Sequence, residues 1–157
     1  MLENKNIKLI ALDVDGTLVH YDRGDFGSSW DTLSYSLGVF DEIQELLKEY
    51  YPQREKHREW TEKEILLYKG KKVKDAYKHL YPIPYSAGAR EFANKSKGKL
   101  IRGILSTSID LVAKKISDEL SFDFCLCNVL GRENGEFNGE RLSCSFMGEA
   151  SCFRGVL

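Results

Sequence analysis

The stretch "IKLIALDVDGTLVH", Ile7–His20, joins an apolar run to two aspartates, a glycine and a threonine. Apart from Lys8, the run to Leu12 is apolar, which predicts a strand covered on both faces, as in a parallel sheet. Asp15-Gly16 is a turn signal, so the chain should leave the sheet there with two carboxylates at the carboxyl end of the strand. Open α/β sheets bind their ligands at that end, and the stretch therefore predicts a ligand site.

Asp13 and Asp15 are the candidate catalytic residues of this site. A carboxylate beside a divalent cation can approach a phosphate, so Asp13 could attack phosphorus and form an acyl phosphate. Asp15 could protonate the leaving oxygen and later deprotonate the attacking water. Gly16 would let the backbone approach the phosphate closely, and Thr17 would offer a hydroxyl.

Residues 13–17 have two other interpretations, a calcium-binding loop and an ordinary turn. A calcium-binding loop requires glycine at its sixth position and glutamate at its twelfth, where this chain has Leu18 and Gly24. That interpretation fails. An ordinary Asp-Gly turn that closes a strand stays open, although two acids and Gly-Thr directly after a buried strand form a specific combination.

A second candidate segment follows in "LIRGILSTSIDLVAKKISDEL", which begins at Leu100. The pattern predicts a strand to Leu105, a polar turn at Ser106-Thr107-Ser108 and a helix. Amides at the start of that helix, together with the Ser106 hydroxyl, could hold a phosphate. Ser108 could instead merely cap the helix. Because the segment ends a strand parallel to the first one, Ser106 and Thr107 join Gly16 and Thr17 as candidate phosphate-binding residues.

The sequence between the two segments is helical in pattern. One apolar stripe begins at about Val39 and stops before Pro52, and another stops before Pro82. Thr61 and Glu64 have the spacing of a capping box, which predicts a helix start there. We therefore expect a helical cap over residues 24–81 and a core formed by residues 1–23 and 82–157.

The sequence after the second segment predicts more of the core. "FDFCLC", Phe122–Cys127, has a strand pattern, and Asn134-Gly135 predicts a hairpin turn. Strands that alternate with helices indicate a parallel sheet with right-handed crossovers. The predicted fold class is α/β, with a Rossmann-like parallel core and a helical cap insertion.

The composition indicates which classes of binding partner to expect. The 23 basic and 24 acidic residues give a net charge of −1, and no basic stripe with aromatics predicts a nucleic-acid partner. No apolar run approaches the ~18 residues of a membrane span, and the charged "MLENKNIK" is unlike a signal peptide. We expect no membrane partner and a cytoplasmic location. The cysteines lack the spacing of zinc hooks and should be free thiols. They are Cys125, Cys127, Cys144 and Cys152.

These motifs resemble the haloacid dehalogenase superfamily of aspartate-nucleophile hydrolases. Asp13-Val14-Asp15-Gly16-Thr17 is similar to its first motif, D-x-D-x-T, and Ser106 to its second, a serine or threonine that ends an apolar strand. The resemblance implies that Asp13 is the nucleophile and a Mg²⁺ ligand, and that Asp15 is the acid/base whose main-chain carbonyl also binds the metal. It implies that Ser106 orients the phosphoryl group.

The resemblance is closest to the phosphoserine phosphatase-like branch. It is carried by "SSWDTLSYSLG", Ser28–Gly38, and "FDFCLCNVLGRENGEFNGE", Phe122–Glu140. It implies hydrolysis of the phosphate monoester of a small metabolite through an aspartyl phosphate. Superfamily members that cleave carbon–halogen bonds usually lack the second aspartate, so Asp15 favours phosphoryl transfer. A phosphotransferase would use the same residues and stays an alternative.

The chain departs from the family pattern after about residue 140. No lysine follows Gly139-Glu140, and no strand there ends in paired aspartates; Glu149 stands alone. We therefore expect a truncated or frameshifted chain, and a catalytically silent fragment that binds phosphate or a partner chain is the competing hypothesis. Without a neighbouring strand, the first strand would be an exposed apolar edge, which predicts self-association.

Overall fold

The computed structural model describes residues 7–24 and 27–142. Its strands are β1 (Leu9–Leu12), β2 (Ile101–Ile109), β3 (Phe124–Glu133) and β4 (Glu136–Leu142). Its helices are α1 (Ser29–Ser36), α2 (Phe40–Tyr50), α3 (His57–Tyr68), α4 (Val73–Leu80), α5 (Ala89–Ser96) and α6 (Asp110–Leu120), with a short 3₁₀ helix at Arg54–Lys56.

The four strands form one sheet in the order β1-β2-β3-β4. The first three strands are parallel, with Leu12 opposite Ile104 and Ile104 opposite Cys125. β4 runs antiparallel to β3. Asn134 and Gly135 join them with positive φ angles of 51° and 82°, the conformation that a tight two-residue hairpin turn needs. The predicted α/β class, the parallel core sheet and the hairpin are confirmed.

The helices α1 to α4 lie between β1 and α5, where the helical pattern occurs in the sequence. α2 ends at Tyr50 and α4 at Leu80, each two residues before a proline, which cannot continue a helix without a break. Buried side chains of the helical segment and of the sheet belong to one continuous apolar cluster, which includes Leu33, Ile65, Leu80, Ile104, Ile116 and Leu130. Apolar packing therefore holds the helices against the sheet.

Main-chain hydrogen bonds also join the helical segment to the hairpin. The amide of Gly70 donates to the Phe137 carbonyl at 2.8 Å, and the Phe137 amide donates to the Lys71 carbonyl at 3.0 Å. The Val73 amide donates to the Gly135 carbonyl at 2.9 Å. The loop between α3 and α4 is thus fixed to the start of β4.

The predicted helix start at Thr61 is wrong. Thr61 lies inside α3, and its hydroxyl donates to the His57 carbonyl four residues earlier, at 2.8 Å. A threonine whose hydroxyl donates to the carbonyl four residues earlier is compatible with a helix interior. The spacing of Thr61 and Glu64 alone is therefore not sufficient to predict a helix start. The structure has a capping box elsewhere, where Ser28 and Asp31 begin α1.

The predicted ends of β2 and β3 are also wrong. β2 continues past Leu105 to Ile109, and its register with β3 shifts between these two residues. With such an irregularity the two strands resume pairing after a polar segment whose sequence pattern predicts a turn. Ser108 does not cap α6, because the residue before that helix is Ile109 and it makes no side-chain cap bond. β3 begins at Phe124 and extends beyond Cys127.

The prediction that β1 is covered on both faces is wrong, while its position at an edge agrees with the exposed strand expected from the family pattern. Within the described residues β1 pairs with β2 alone. Ile7, Leu9 and, on the neighbouring strand, Ile101 are 66%, 48% and 51% exposed. The predictions for residues 143–157, including Glu149, lie outside the described residues. In the part of the chain that is described, no helix has the length and apolar character to cross a membrane.

Candidate active site

A tight loop follows β1 and carries the D-x-D-x-T residues. The carbonyl of Val14 accepts hydrogen bonds from the amides of Thr17 and Leu18 at 3.1 and 2.8 Å, and the Gly16 amide donates to the Val19 carbonyl at 2.9 Å. Gly16 has φ of 76°, which a residue with a side chain rarely adopts. The loop therefore needs glycine at this position.

The loop separates the environments of the two aspartates. Asp13 is exposed, as are Gly16 and Thr17, whereas Asp15 is half-buried. The side chain of Val14 between them is fully buried and anchors the loop in the core. The structure thus presents one carboxylate to solvent at the carboxyl end of β1 and turns the next one inwards.

Both carboxyl oxygens of Asp15 contact one residue, Ser29 at the start of α1. The Ser29 amide donates to Oδ1 at 2.8 Å, and its hydroxyl donates to Oδ2 at 2.7 Å. Burial raises the pKa of the Asp15 carboxyl, hydrogen bonding by Ser29 and by the nearby Ser108 hydroxyl opposes this, and the charge of Asp13 raises the pKa further. The net shift is upward from the usual value of 3.8, which favours a carboxyl group able to carry a proton.

A further contact connects Ser29 to the second motif. The Ser29 and Ser108 hydroxyl oxygens lie 2.8 Å apart, and the Ser108 amide donates to the Ser106 hydroxyl oxygen at 3.0 Å. All three serines are buried. The structure therefore brings the D-x-D-x-T loop and the Ser106 segment together, through Ser29. The Ser106 oxygen accepts in this contact, which leaves its own hydrogen available to a ligand.

Thr107 takes part through its backbone. Its carbonyl accepts hydrogen bonds from Trp30 Nε1 at 3.0 Å and from Asn128 Nδ2 at 2.5 Å. Arg141, half-buried on β4, donates from Nη1 to Asn128 Oδ1 at 3.0 Å, and burial lowers the pKa of its guanidinium. A cation and an aromatic ring thus lie one or two hydrogen bonds from the Ser106 segment.

Sequence reasoning missed Ser29, Trp30 and Asn128 as site residues. Ser29 and Trp30 lie in the "SSWDTLSYSLG" segment and Asn128 in the segment from Phe122 to Glu140, both of which carry the family resemblance. The sequence signal was therefore present at the level of segments, although it did not assign these side chains to the site.

Two oxygens of the loop fit a divalent cation. The Asp13 carboxylate is exposed, and no other described residue donates a hydrogen bond to the Asp15 main-chain carbonyl. Magnesium is commonly held by one or two carboxylates together with waters and substrate phosphate oxygens, and this donor set matches that chemistry. No group of three or more acidic, histidine or cysteine side chains comes together in residues 7–24 and 27–142.

Two curated proteins are similar in sequence to the chain, while no family model matches it. A phosphoserine phosphatase of Methanocaldococcus jannaschii is 26% identical over 150 residues, which cover 92% of this chain and 68% of the relative. A phosphoserine phosphatase of Archaeoglobus fulgidus is 26% identical over 137 residues, which cover 87% of this chain and 38% of the relative.

Solved structures show the same fold. A substrate-bound phosphoserine phosphatase complex matches with a TM-score of 0.71 and 24% identity, over 86% of this chain and 62% of that chain. A phospho-aspartyl intermediate analogue of phosphoserine phosphatase gives 0.70 with the same identity and coverage. A HAD family hydrolase from Salmonella enterica serovar Typhi gives 0.74 at 15% identity, over 86% of this chain and 45% of that chain. The chain thus spans less than two thirds of the length of these three structures.

The parallel sheet, the loop after β1 and these neighbours define the fold of haloacid dehalogenase hydrolases. Both archaeal relatives are phosphoserine phosphatases, and the chain is similar to them in sequence at 26% identity. The predicted fold class and the predicted resemblance to phosphoserine phosphatases are confirmed.

Proposed function

We propose that the chain hydrolyses phosphate monoesters, with Asp13 as the nucleophile. The observation that carries this proposal is the pair of carboxyl groups at the end of β1. Asp13 faces solvent, and Asp15, two residues later, is turned inwards and held by two hydrogen bonds from Ser29. This arrangement gives one carboxylate free to attack and one carboxyl group suited to proton transfer.

In the proposed reaction, Asp13 attacks phosphorus and an aspartyl phosphate forms as the ester bond breaks. Asp15 gives its proton to the leaving oxygen, and its raised pKa supports this role. Asp15 then takes a proton from the water that attacks the aspartyl phosphate, which releases phosphate and restores Asp13. Ser106 donates its free hydrogen to a phosphoryl oxygen, and the backbone at Gly16, Thr17 and Thr107 borders the phosphate.

We further propose that the cofactor is Mg²⁺, held by the Asp13 carboxylate and the Asp15 carbonyl. When bound, a divalent cation offsets the negative charge of the phosphate and polarises its oxygens. The substrate is a small phosphorylated metabolite, because the relatives are phosphoserine phosphatases and one solved neighbour is a substrate-bound complex. A cytoplasmic location is also proposed, supported by the free thiols Cys125 and Cys127.

Residues 24–81 are proposed as the cap of this site, and residues 1–23 and 82–157 as its core. The contacts of Ser29 with Asp15 and of Trp30 with Thr107 support the division, because they place the start of α1 over the ends of β1 and β2. A cap in this position would exclude water from the aspartyl phosphate until hydrolysis.

The activity is tested by measuring hydrolysis of phosphoserine and of an aryl phosphate with and without Mg²⁺. The Asp13→Asn variant keeps the shape of the side chain and removes the attacking charge, so turnover should be abolished. Asp41→Asn, on the exposed first turn of α2, is the matched control and should retain wild-type turnover. Wild-type turnover by Asp13→Asn would disprove the nucleophile assignment.

The alternative function is a catalytically silent chain that binds phosphate or a partner chain. Within the described residues β1 pairs with β2 alone, and Ile7, Leu9 and Ile101 on and beside it are exposed, which favours this alternative because an open strand edge is a template for pairing. A second copy of the chain is the partner proposed here. The distribution of monomer and self-associated species in sedimentation tests this possibility directly.

A further inference from the structure

Ser29 and Ser108 form a buried pair of hydroxyl groups, here called the serine relay, behind Asp15. The Ser29 oxygen lies 2.7 Å from Asp15 Oδ2 and 2.8 Å from the Ser108 hydroxyl oxygen. The two serines are 0% and 1% exposed. Buried hydroxyl groups are costly unless hydrogen-bonded, so these contacts are needed to keep both serines inside.

The contact with Ser29 fixes the direction of the Asp15 carboxyl. One oxygen accepts from the Ser29 amide and the other from its hydroxyl, so rotation of the carboxyl about its bond would break two hydrogen bonds at once. Each oxygen of a carboxylate has two acceptor positions, which leaves one on each for a reacting group. The contact therefore orients Asp15 without blocking it.

Ser29 is itself held by the start of α1. Ser28 caps the helix by accepting from the Asp31 amide at 3.1 Å, and the Asp31 carboxylate accepts from the Ser28 hydroxyl at 2.8 Å. Capping of this kind fixes the first turn of a helix, including the residue that follows the cap. The two donors that face Asp15 are thus part of a rigid element.

The serine relay crosses the junction between the helical segment and the sheet. Ser29 belongs to α1, whereas Ser108 belongs to β2, and the Ser108 amide donates to the hydroxyl of Ser106. Trp30, next to Ser29, makes a second hydrogen bond across the same junction, to the Thr107 carbonyl. The direction of Asp15 therefore depends on how α1 lies against β2.

Resting on the function proposed above, we propose that Ser29 is the positioning residue of the acid/base Asp15, and that it orients the carboxyl group only while α1 is packed on β2. Ser108 supports Ser29 from the core side. Because proton transfer requires a donor within hydrogen-bond reach of the leaving oxygen, loss of this orientation should slow turnover more than it weakens substrate binding.

The first test compares Ser29→Ala with Ser34→Ala in hydrolysis of an aryl phosphate. Ser34 is a matched control, since it is fully buried in the same helix and its hydroxyl donates to the Asp31 carbonyl. Ser29→Ala should lower kcat at least about tenfold with KM changed less than about twofold, and Ser34→Ala should change neither. Ser29→Thr keeps both donors and should restore most of kcat. A wild-type kcat in Ser29→Ala would overturn the proposal.

The added methyl group of Ser29→Thr has to fit into a packed interior, which can itself change kcat. Ser108→Ala, which makes a side chain smaller, is therefore a second variant. It removes the support of Ser29 and the smaller direct influence of the Ser108 hydroxyl on Asp15, but keeps the contact of Ser29 with Asp15, so kcat should fall to a value between wild type and Ser29→Ala. A kcat for Ser108→Ala below that of Ser29→Ala would contradict the order of the contacts.

A double-mutant cycle separates failure of this inference from failure of the proposed function. Asp15→Asn and Ser29→Ala are made singly and together, and unfolding is measured in denaturant. The two changes should be coupled, so that the unfolding constant of the double variant departs about tenfold from the product of the single effects. Independent effects would overturn the inference whatever the turnover. Coupling in a chain without turnover would uphold the contact and refute the hydrolase.

Discussion

A rise in pH from about 5 to about 8 should destabilise the protein through Glu64. This glutamate of α3 is buried, and its Oε1 accepts a hydrogen bond from the Tyr68 hydroxyl at 2.9 Å. Burial raises the pKa of its carboxyl group from 4.5 to about 7, and the negative charge of Asp31 adds to this, while the Tyr68 hydroxyl and Arg141 oppose it. Below about pH 7 the folded protein therefore holds this group as the neutral acid.

The direction in which stability changes with pH follows from the number of protons that the folded and unfolded states bind. In the unfolded chain Glu64 loses its proton near pH 4.5, whereas the folded protein keeps it until about pH 7. The folded state thus binds more protons between these two pKa values. The stabilising contribution of Glu64 is therefore fully present below the lower pKa and is lost as pH rises through the upper one. The gap of about 2.5 units, at about 1.4 kcal/mol per unit, corresponds to at most about 3.5 kcal/mol.

The assay is urea unfolding of wild type and Glu64→Gln across this pH range. Glutamine keeps an acceptor for Tyr68 and cannot ionise, so this cause of destabilisation is absent from the variant. As pH rises from about 5 to about 8, the stability of Glu64→Gln minus that of wild type should therefore increase by up to about 3 kcal/mol. Glu62→Gln, an exposed change on the same helix, is the control and should alter stability by less than about 1 kcal/mol at every pH. Parallel pH profiles for wild type and Glu64→Gln would refute the reasoning.

Two further predictions concern stability and assembly. Arg102→Ala should cost about 3 kcal/mol in urea unfolding, because the buried guanidinium donates to the Ala93 and Ser121 carbonyls at 2.7 and 2.6 Å, and a loss under about 1 kcal/mol would contradict this. Leu9→Lys places a charge on the exposed β1 edge and should shift sedimentation from a self-associated species to a monomer, whereas a wild-type monomer at all concentrations would reject the edge as a self-pairing site.

Local sequence patterns were sufficient for much of the fold. The apolar run before Asp13 and Asp15, the Asn134-Gly135 turn and the prolines that follow α2 and α4 each act within a few residues, and the structure has the corresponding strand end, hairpin and helix ends. Such features depend on backbone geometry more than on distant contacts, so a single sequence contains them.

The features that the sequence did not predict depend on distant contacts. Ser29 is 14 residues from Asp15 and 79 from Ser108, and a serine in the first turn of a helix has no pattern that distinguishes a site residue from a cap. Glu64 has the spacing of a capping box, but the packing of α3 buries it instead. β2 passes through a polar segment because β3 continues to pair with it. Each outcome is decided by tertiary packing, which a local pattern does not contain.

Reductive trapping of the phosphorylated protein tests the central claim most directly. The chain is incubated with an aryl phosphate and Mg²⁺, quenched in acid and treated with borohydride, which reduces an aspartyl phosphate to homoserine, and the peptide that carries Asp13 and Asp15 is sequenced by mass spectrometry. Homoserine is expected at position 13 alone, and none is expected in Asp13→Asn. Phosphate release without modification of Asp13, modification at Asp15 instead, or no turnover at all would contradict the central claim.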